Sequence, residues 1–178
     1  MTDVDAKTTL SYSFAGGALV DASKMFSIDP ESGLIVTAGE LDYETVASYS
    51  FKVYVSDNNA EKPLMDSVPV TVKVLDINER PWADDLKISV SEDAAVDSVL
   101  GSVVGHDLDK DTNKLTFSWV NLSEEETKLF RITPDGKVSL LDTLNYEAKK
   151  SYTLTVKVAD NGNPSLDSTA KVYITVIN

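Results

Sequence analysis

Two stretches, "YSFKVYVSD" at 49–57 and "YTLTVKVAD" at 152–160, alternate large apolar with polar side chains, as does "VYITV" at 172–176. Side chains spaced by two fall on one face of an extended chain, so each stretch predicts a strand with a buried side and a wet side. "DPESG" at 29–33 and "TPDG" at 133–136 carry the Pro, Asp and Gly of tight turns between strands. No segment sustains a 3.6-residue period. The second half of the chain reads as seven strands, at 86–91, 99–106, 115–120, 130–132, 137–141, 152–159 and 169–177. "SEEET" at 123–127 reads as a solvated run of charge.

The pattern is written almost twice. "LSYSF" at 10–14 recurs as "LTFSW" at 115–119, and "MFSIDPESGLI" at 25–35 as "LFRITPDGKV" at 129–138. "LDYETVASYSFKVYVSDNN" at 41–59 recurs as "LNYEAKKSYTLTVKVADNG" at 144–162, and "SVPVTVKVLD" at 67–76 answers "STAKVYITVIN" at 168–178. Copies of about a hundred residues, built of short strands and regular turns, predict an all-β protein of two tandem seven-strand Greek-key, immunoglobulin-like β-sandwiches. The first copy begins near its third strand, so its first two strands are missing from this chain. The expected boundaries are a repeat at 1–77, a linker at 78–81 and a repeat at 82–178. An unpaired edge in the first sandwich is a strand-exchange hazard, unless another segment completes it.

Composition narrows the chemistry. The 178 residues carry 29 acids against 16 bases, a net charge of −13, and 42% are hydrophobic. Such a chain is globular, and with no basic patch it is expected to bind neither nucleic acid nor an anionic membrane. It has no Cys and one His, His106. Thiolate chemistry and multi-His metal sites are therefore excluded. No run of 18 apolar residues appears, and no direct membrane contact is expected. The chain reads as a fragment of something longer.

The acids gather at strand ends. Asp3 and Asp5 in "DVD" are matched by Asp107 and Asp109 in "DLD"; Asp42 and Glu44 in "LDYE" are matched by Asn145 and Glu147 in "LNYE". Asp57 and Asp160 close the two long strands, and "VLDINERPW" at 74–82 joins the copies. Residues i and i+2 of an extended segment share a face, so each pair can present two carboxylates to one point. Two readings stand at this stage, solvated loops or an oxygen-rich site for Ca2+, which takes six to eight oxygens from carboxylates, amides and backbone carbonyls. An EF-hand beginning at Asp107 fails, because Thr112 stands where the loop needs Gly and Ser118 where it needs the bidentate Glu.

Drawn from the two copies and set in the order of one repeat, "VSEDA" with Glu92, "GHDLD", "FRITPDGKV", "LDYE", "VADNGNP" and "DINERP" resemble the motifs of tandem cadherin repeats, a calcium-dependent extracellular sandwich family. The resemblance covers essentially the whole chain. It implies two to three Ca2+ ions at the interdomain junction. Asp42, Glu44 and Glu79 would hold the upper ions, with the carbonyl of Ile77. The side-chain oxygen of Asn78, the carbonyls of Arg80 and Asn113, and Asp107, Asp109 and Asp160 would complete the lower one. Asp3, Asp5, Asp57, Glu92, Asn145 and Glu147 would be half-sites whose partners lie in neighbouring repeats. "DINER" departs from the family's linker by carrying Glu79 and Arg80, which keep a carboxylate and a carbonyl respectively.

The implied function is a calcium-binding extracellular or cell-surface module of a longer array, serving adhesion or as an adhesive stalk and partnered by adjacent repeats or another cadherin-like chain. The alternative is a carbohydrate-binding module of a secreted or surface bacterial adhesin or polysaccharide-degrading enzyme, which would bind a polysaccharide through exposed aromatics such as Trp119 or Tyr residues. No enzyme activity is expected, since each clustered acid has a use as a calcium ligand and His106 sits beside the cluster as a strand-end residue. Trp82 is expected to anchor a sandwich, and Trp119 to face a core. "NLS" at 121–123 is a glycosylation sequon.

Overall fold

The computed structural model describes residues 9–14, 22–57, 59, 62–109 and 114–178. The chain divides into two compact units, Met1–Asp76 and Ile77–Asn178. Each has its own hydrophobic core.

The first unit contains β1 (Leu10–Phe14), a four-residue helix α1 (Ala22–Met25), β2 (Phe26–Ile28), β3 (Ile35–Thr37), β4 (Ser48–Asp57) and β5 (Met65–Lys73). The alternation in β4 works as its sequence requires: Tyr49, Phe51 and Val53 are buried while Ser48, Ser50 and Lys52 face water. β4 is the middle strand of an antiparallel sheet ordered β1-β4-β5, and β2 pairs with β3. The two layers meet through rings, with Phe26 edge-on to Tyr49 at 5.2 Å and tilted against Phe51 at 5.5 Å.

The second unit contains β6 (Trp82–Ala83), β7 (Leu86–Ser91), β8 (Val99–Ser102), β9 (Gly105–His106), β10 (Thr116–Val120), α2 (Glu124–Leu129), β11 (Phe130–Ile132), β12 (Lys137–Leu140), β13 (Ser151–Ala159) and β14 (Asp167–Ile177). One sheet has the order β10-β13-β14-β7 and the other β11-β12-β8. β7 runs parallel to β14, from Leu86 opposite Val172 to Ser91 opposite Ile177. Val138, Leu140, Leu154, Val156, Val172, Ile174 and Val176 are all at most 1% exposed, a sandwich core closed from both faces.

The repeat lets the units be compared position by position. β1 is the counterpart of β10, and among the described residues no strand of the first unit stands where β7 and β8 stand in the second. The consequence is visible on β5. Val68 is 56% exposed, whereas Ala170 at the matching place on β14 is 5% exposed.

Three expectations need correction. The strand expected at 99–106 is two strands, because β8 pairs with β12 while β9 pairs with β6 and the chain changes partner at Val103 and Val104. The charged run at 123–127 is helical from Glu124. Ser123 caps α2 by accepting from Glu126 N, and the Glu126 carboxylate accepts from Ser123 N in return, satisfying two donors that a helix start leaves open. Trp82 is no buried anchor: it is 45% exposed and stacks on His106 at 5.2 Å.

Candidate metal centre

The segment after Asp76 is tied to the second unit by side chains and backbone alike. Asn78 donates from Nδ2 to Asp160 Oδ2 and to the Pro164 carbonyl, both at 2.9 Å. Glu79 N donates to Asp109 Oδ2 at 3.0 Å, and the Arg80 guanidinium donates to the Asp167 carbonyl. Pro81 is buried, and its carbonyl accepts from Ser168 Oγ at 2.6 Å. The Pro81 ring fixes φ at the exit of this segment and asks for no backbone donor bond.

Among the described residues of this unit three carboxylates lie buried: Asp107 at 8%, Asp109 at 6% and Asp160 at 5% exposed. Asp107 and Asp109 lie in the bend that follows β9, with Asp109 N donating to Asp107 Oδ1 at 3.1 Å. The other oxygen of Asp107, Oδ2, is buried with no hydrogen-bond partner among the described residues. A buried polar atom without a partner costs about 1–3 kcal/mol, more when it carries charge. Like carboxylates in a partly dehydrated place also repel by several kcal/mol, since two unit charges about 4 Å apart interact by about 4 kcal/mol at an effective dielectric constant of about 20. A hard cation would relieve both penalties, and the donors are all oxygens. The site fits Ca2+.

Asp160 shows how the loop holds a carboxylate. Burial pushes its carboxyl up, but N–H groups of Leu166 and Gly162, the Asn78 amide and Ser165 together hold it below the usual carboxylate range. Its Oδ1 accepts from Gly162 N at 3.0 Å and Leu166 N at 2.8 Å. Asp57 repeats the arrangement in the first unit, accepting from Leu64 N at 2.7 Å.

Asp42 and Glu44 lie in the first unit, in the turn that precedes β4. Asp42 Oδ1 accepts from Glu44 N at 3.0 Å, and Thr45 Oγ1 donates to Oδ2 at 2.6 Å. The Thr45 hydroxyl leads the contacts that keep the Asp42 carboxyl below its ordinary range. Asn145 builds the same turn without the charge, accepting from Ala148 N at 3.0 Å. At that end of the second unit Glu92 is brought to the turn, its Oε2 accepting from Tyr146 N at 3.0 Å, while Glu147 is exposed. Ile77 is 71% exposed. Asp3, Asp5 and Asn113 lie outside the described residues.

Sequence reasoning passed over Gly162. A Cβ on this residue would lie 1.8 Å from Asn78 Oδ1 and 2.2 Å from Asn78 Cγ, so the Asn78 side chain occupies the space that any other residue would fill. The signal was present as the Gly of "VADNGNP", two residues after Asp160. It passed over Asp84 as well, which meets His106 Nε2 at 2.9 Å.

Comparison with known proteins bears on these residues. The sequence profile of the Cadherin domain matches residues 1–75 and 86–177. Protocadherin Fat 2 of Mus musculus is 28% identical over 97% of this chain and 4% of its own length. Protocadherin-16 of Homo sapiens is 35% identical over 88% of this chain and 5% of its own. The chain thus spans only about a twentieth of these curated relatives. Among solved structures, mouse cadherin-23 EC22-24 is 27% identical with a TM-score of 0.73, covering 94% of this chain and 54% of that one. Human protocadherin-24 EC1-2 is 23% identical with a TM-score of 0.73, over 97% and 84% of the two chains, a likeness of fold.

Proposed function

The chain belongs to the cadherin-domain family, and from that premise we propose that it is a calcium-binding extracellular module of a longer adhesive array. In this reading 78–81 is the calcium-binding linker between a repeat at 1–77 and a repeat at 82–178. Asp107, Asp109 and Asp160 with Asn78 and the Arg80 carbonyl serve one ion. Asp42, Glu44, Glu79 and the Ile77 carbonyl serve the others, two to three in all. The six carboxylates Asp42, Glu44, Glu79, Asp107, Asp109 and Asp160 would be neutralised by three divalent ions, which is how metal uptake would stiffen the array. The partners are neighbouring cadherin-like repeats or another cadherin-like chain.

One observation carries the reading. Asp107 Oδ2 is buried without a hydrogen-bond partner among the described residues, in a unit that buries two more carboxylates. A loop that merely faced water would leave that oxygen hydrated. Titration calorimetry with Ca2+ is the direct test: two to three ions are expected, with chelation lowering the thermal midpoint. Asp109→Ala is expected to weaken binding most, because Asp109 stands between the linker backbone and Asp107. No heat of binding, together with an unchanged midpoint in EDTA, would sink the proposal.

A further inference from the structure

We propose that Gly162 is a positioning residue: the space left by its missing side chain seats Asn78, and this seat fastens the linker segment to the second unit before any ion arrives. The three atoms nearest to the empty place all belong to Asn78. A Cβ at Gly162 would meet Asn78 Oδ1, Cγ and Nδ2 at 1.8, 2.2 and 2.5 Å, and contacts under 3.0 Å are essentially never made by real Cβ atoms. Gly162 does not have a left-handed φ, so what it supplies is room and not backbone freedom.

The seat is fixed from beneath. Gly162 N donates to Asp160 Oδ1 at 3.0 Å, and Ser165 Oγ donates to the Asp160 carbonyl at 2.8 Å, which hold the loop around the glycine. Asn78 then reaches across it to Asp160 Oδ2 and the Pro164 carbonyl, joining two points of that loop with one amide. Because the backbone at Gly162 is itself hydrogen-bonded, it cannot retreat from an added methyl without losing the Asp160 contact. An alanine there must therefore displace Asn78. Arg80 and Pro81 follow Asn78 onto Asp167 and Ser168, so displacement loosens the start of a hydrogen-bonded segment and not one isolated side chain.

The consequence for Ca2+ rests on the proposed function, whereas the seat itself does not. A linker already seated on the second unit loses less freedom when the ion binds, so filling the seat should weaken calcium binding without removing a ligand. The test is a double-mutant cycle in the full chain. Gly162→Ala, Asn78→Gly and the double variant are melted in EDTA, with tryptophan fluorescence reporting the second unit, which holds both Trp82 and Trp119. Gly162→Ala is expected to lower the midpoint by about 5–10 °C in the parent and by under about 2 °C when Asn78 is already glycine. A drop of the same size in both backgrounds overturns the proposal, because the methyl would then be colliding with something other than Asn78. In calorimetry, Gly162→Ala is expected to weaken Ca2+ binding about tenfold in the parent and to add no further loss to Asn78→Gly. Equal losses in both backgrounds overturn the link to the ion. A parent that takes up no Ca2+ overturns the functional reading instead, and the calcium-free cycle still decides the seat.

Discussion

Gly33 and Gly136 hold the same place in two copies of one turn, both with positive φ, 72° and 85°. Their surroundings differ. A Cβ at Gly136 would lie 2.8 Å from the Val103 carbonyl oxygen, whereas at Gly33 the nearest obstacle is the Tyr12 ring at 3.0 Å. A side-chain ring can shift more readily than a backbone carbonyl, and the backbone of Val103 is held in place because its N–H donates to the Gly136 carbonyl at 2.9 Å. Both alanine variants incur the left-handed penalty of about 1 kcal/mol. Gly136→Ala is expected to cost about 2–3 kcal/mol in total and Gly33→Ala about 1 kcal/mol. Denaturant melts followed by tryptophan fluorescence would read the first, and native-state hydrogen exchange in β4 the second. Equal costs would show that the carbonyl yields as easily as the ring. The need for both glycines was legible, because "DPESG" and "TPDG" are turn sequences; their unequal price was not, since it depends on which atoms the fold brings alongside.

At the scale of the element, period two identified the long strands because their two faces meet different surroundings. Tyr152, Leu154, Val156 and Val158 of β13 are buried as the alternation requires. Pairing was less legible. The parallel partnership of β7 with β14 joins Leu86 to Val172 and Ser91 to Ile177, far apart in sequence, and no local pattern encodes it. The helix α2 was legible and went unread: three consecutive glutamates suggested a solvated run, but Ser123 followed three residues later by Glu126 is a capping box. The same comparison of elements makes a prediction about packing. Val172 on β14 is fully buried, while Val70 at the matching place on β5 is only partly so. Truncating a valine removes about two methylene equivalents, worth about 0.8 kcal/mol each when buried, and leaves a cavity only where neighbours enclose the site. Val172→Ala is expected to cost about 2 kcal/mol or more, and Val70→Ala under about 1 kcal/mol. Chemical denaturation of the second unit and hydrogen exchange in the first would compare them, and a Val70→Ala loss as large as that at Val172 would mean that β5 is covered in solution.

At the scale of the whole molecule, the proposed calcium could act as a coordinated ion or merely as a counter-charge, and the two make different predictions. A net charge of −13 on 178 residues makes some metal-induced stabilisation unavoidable, because any added cation reduces self-repulsion. The two effects separate by ionic strength. At about 0.5 M salt the screening length falls to a few ångströms, which removes most repulsion between exposed acids but leaves a buried oxygen without a partner as it was. Among the described residues Asp107 Oδ2 is such an atom, and Asp109 and Asp160 are slightly more buried than Asp107. Monovalent salt is therefore expected to restore only part of the midpoint lost to EDTA, while a small excess of Ca2+ over the protein restores all of it, with Mg2+ less effective because it gives up its water reluctantly. Asp107→Asn sharpens the contrast, since it removes a charge but keeps an oxygen. Under chelation the variant is expected to melt at or above the parent, and with Ca2+ below it. Scanning calorimetry across salt and metal concentrations would read both signs, and full recovery by NaCl alone would reduce the site to a patch of repelling acids. The sequence made the acids legible in number and spacing; which of them is buried and lacks a partner is a property of the folded unit, and on that property the distinction between ligand and counter-charge turns.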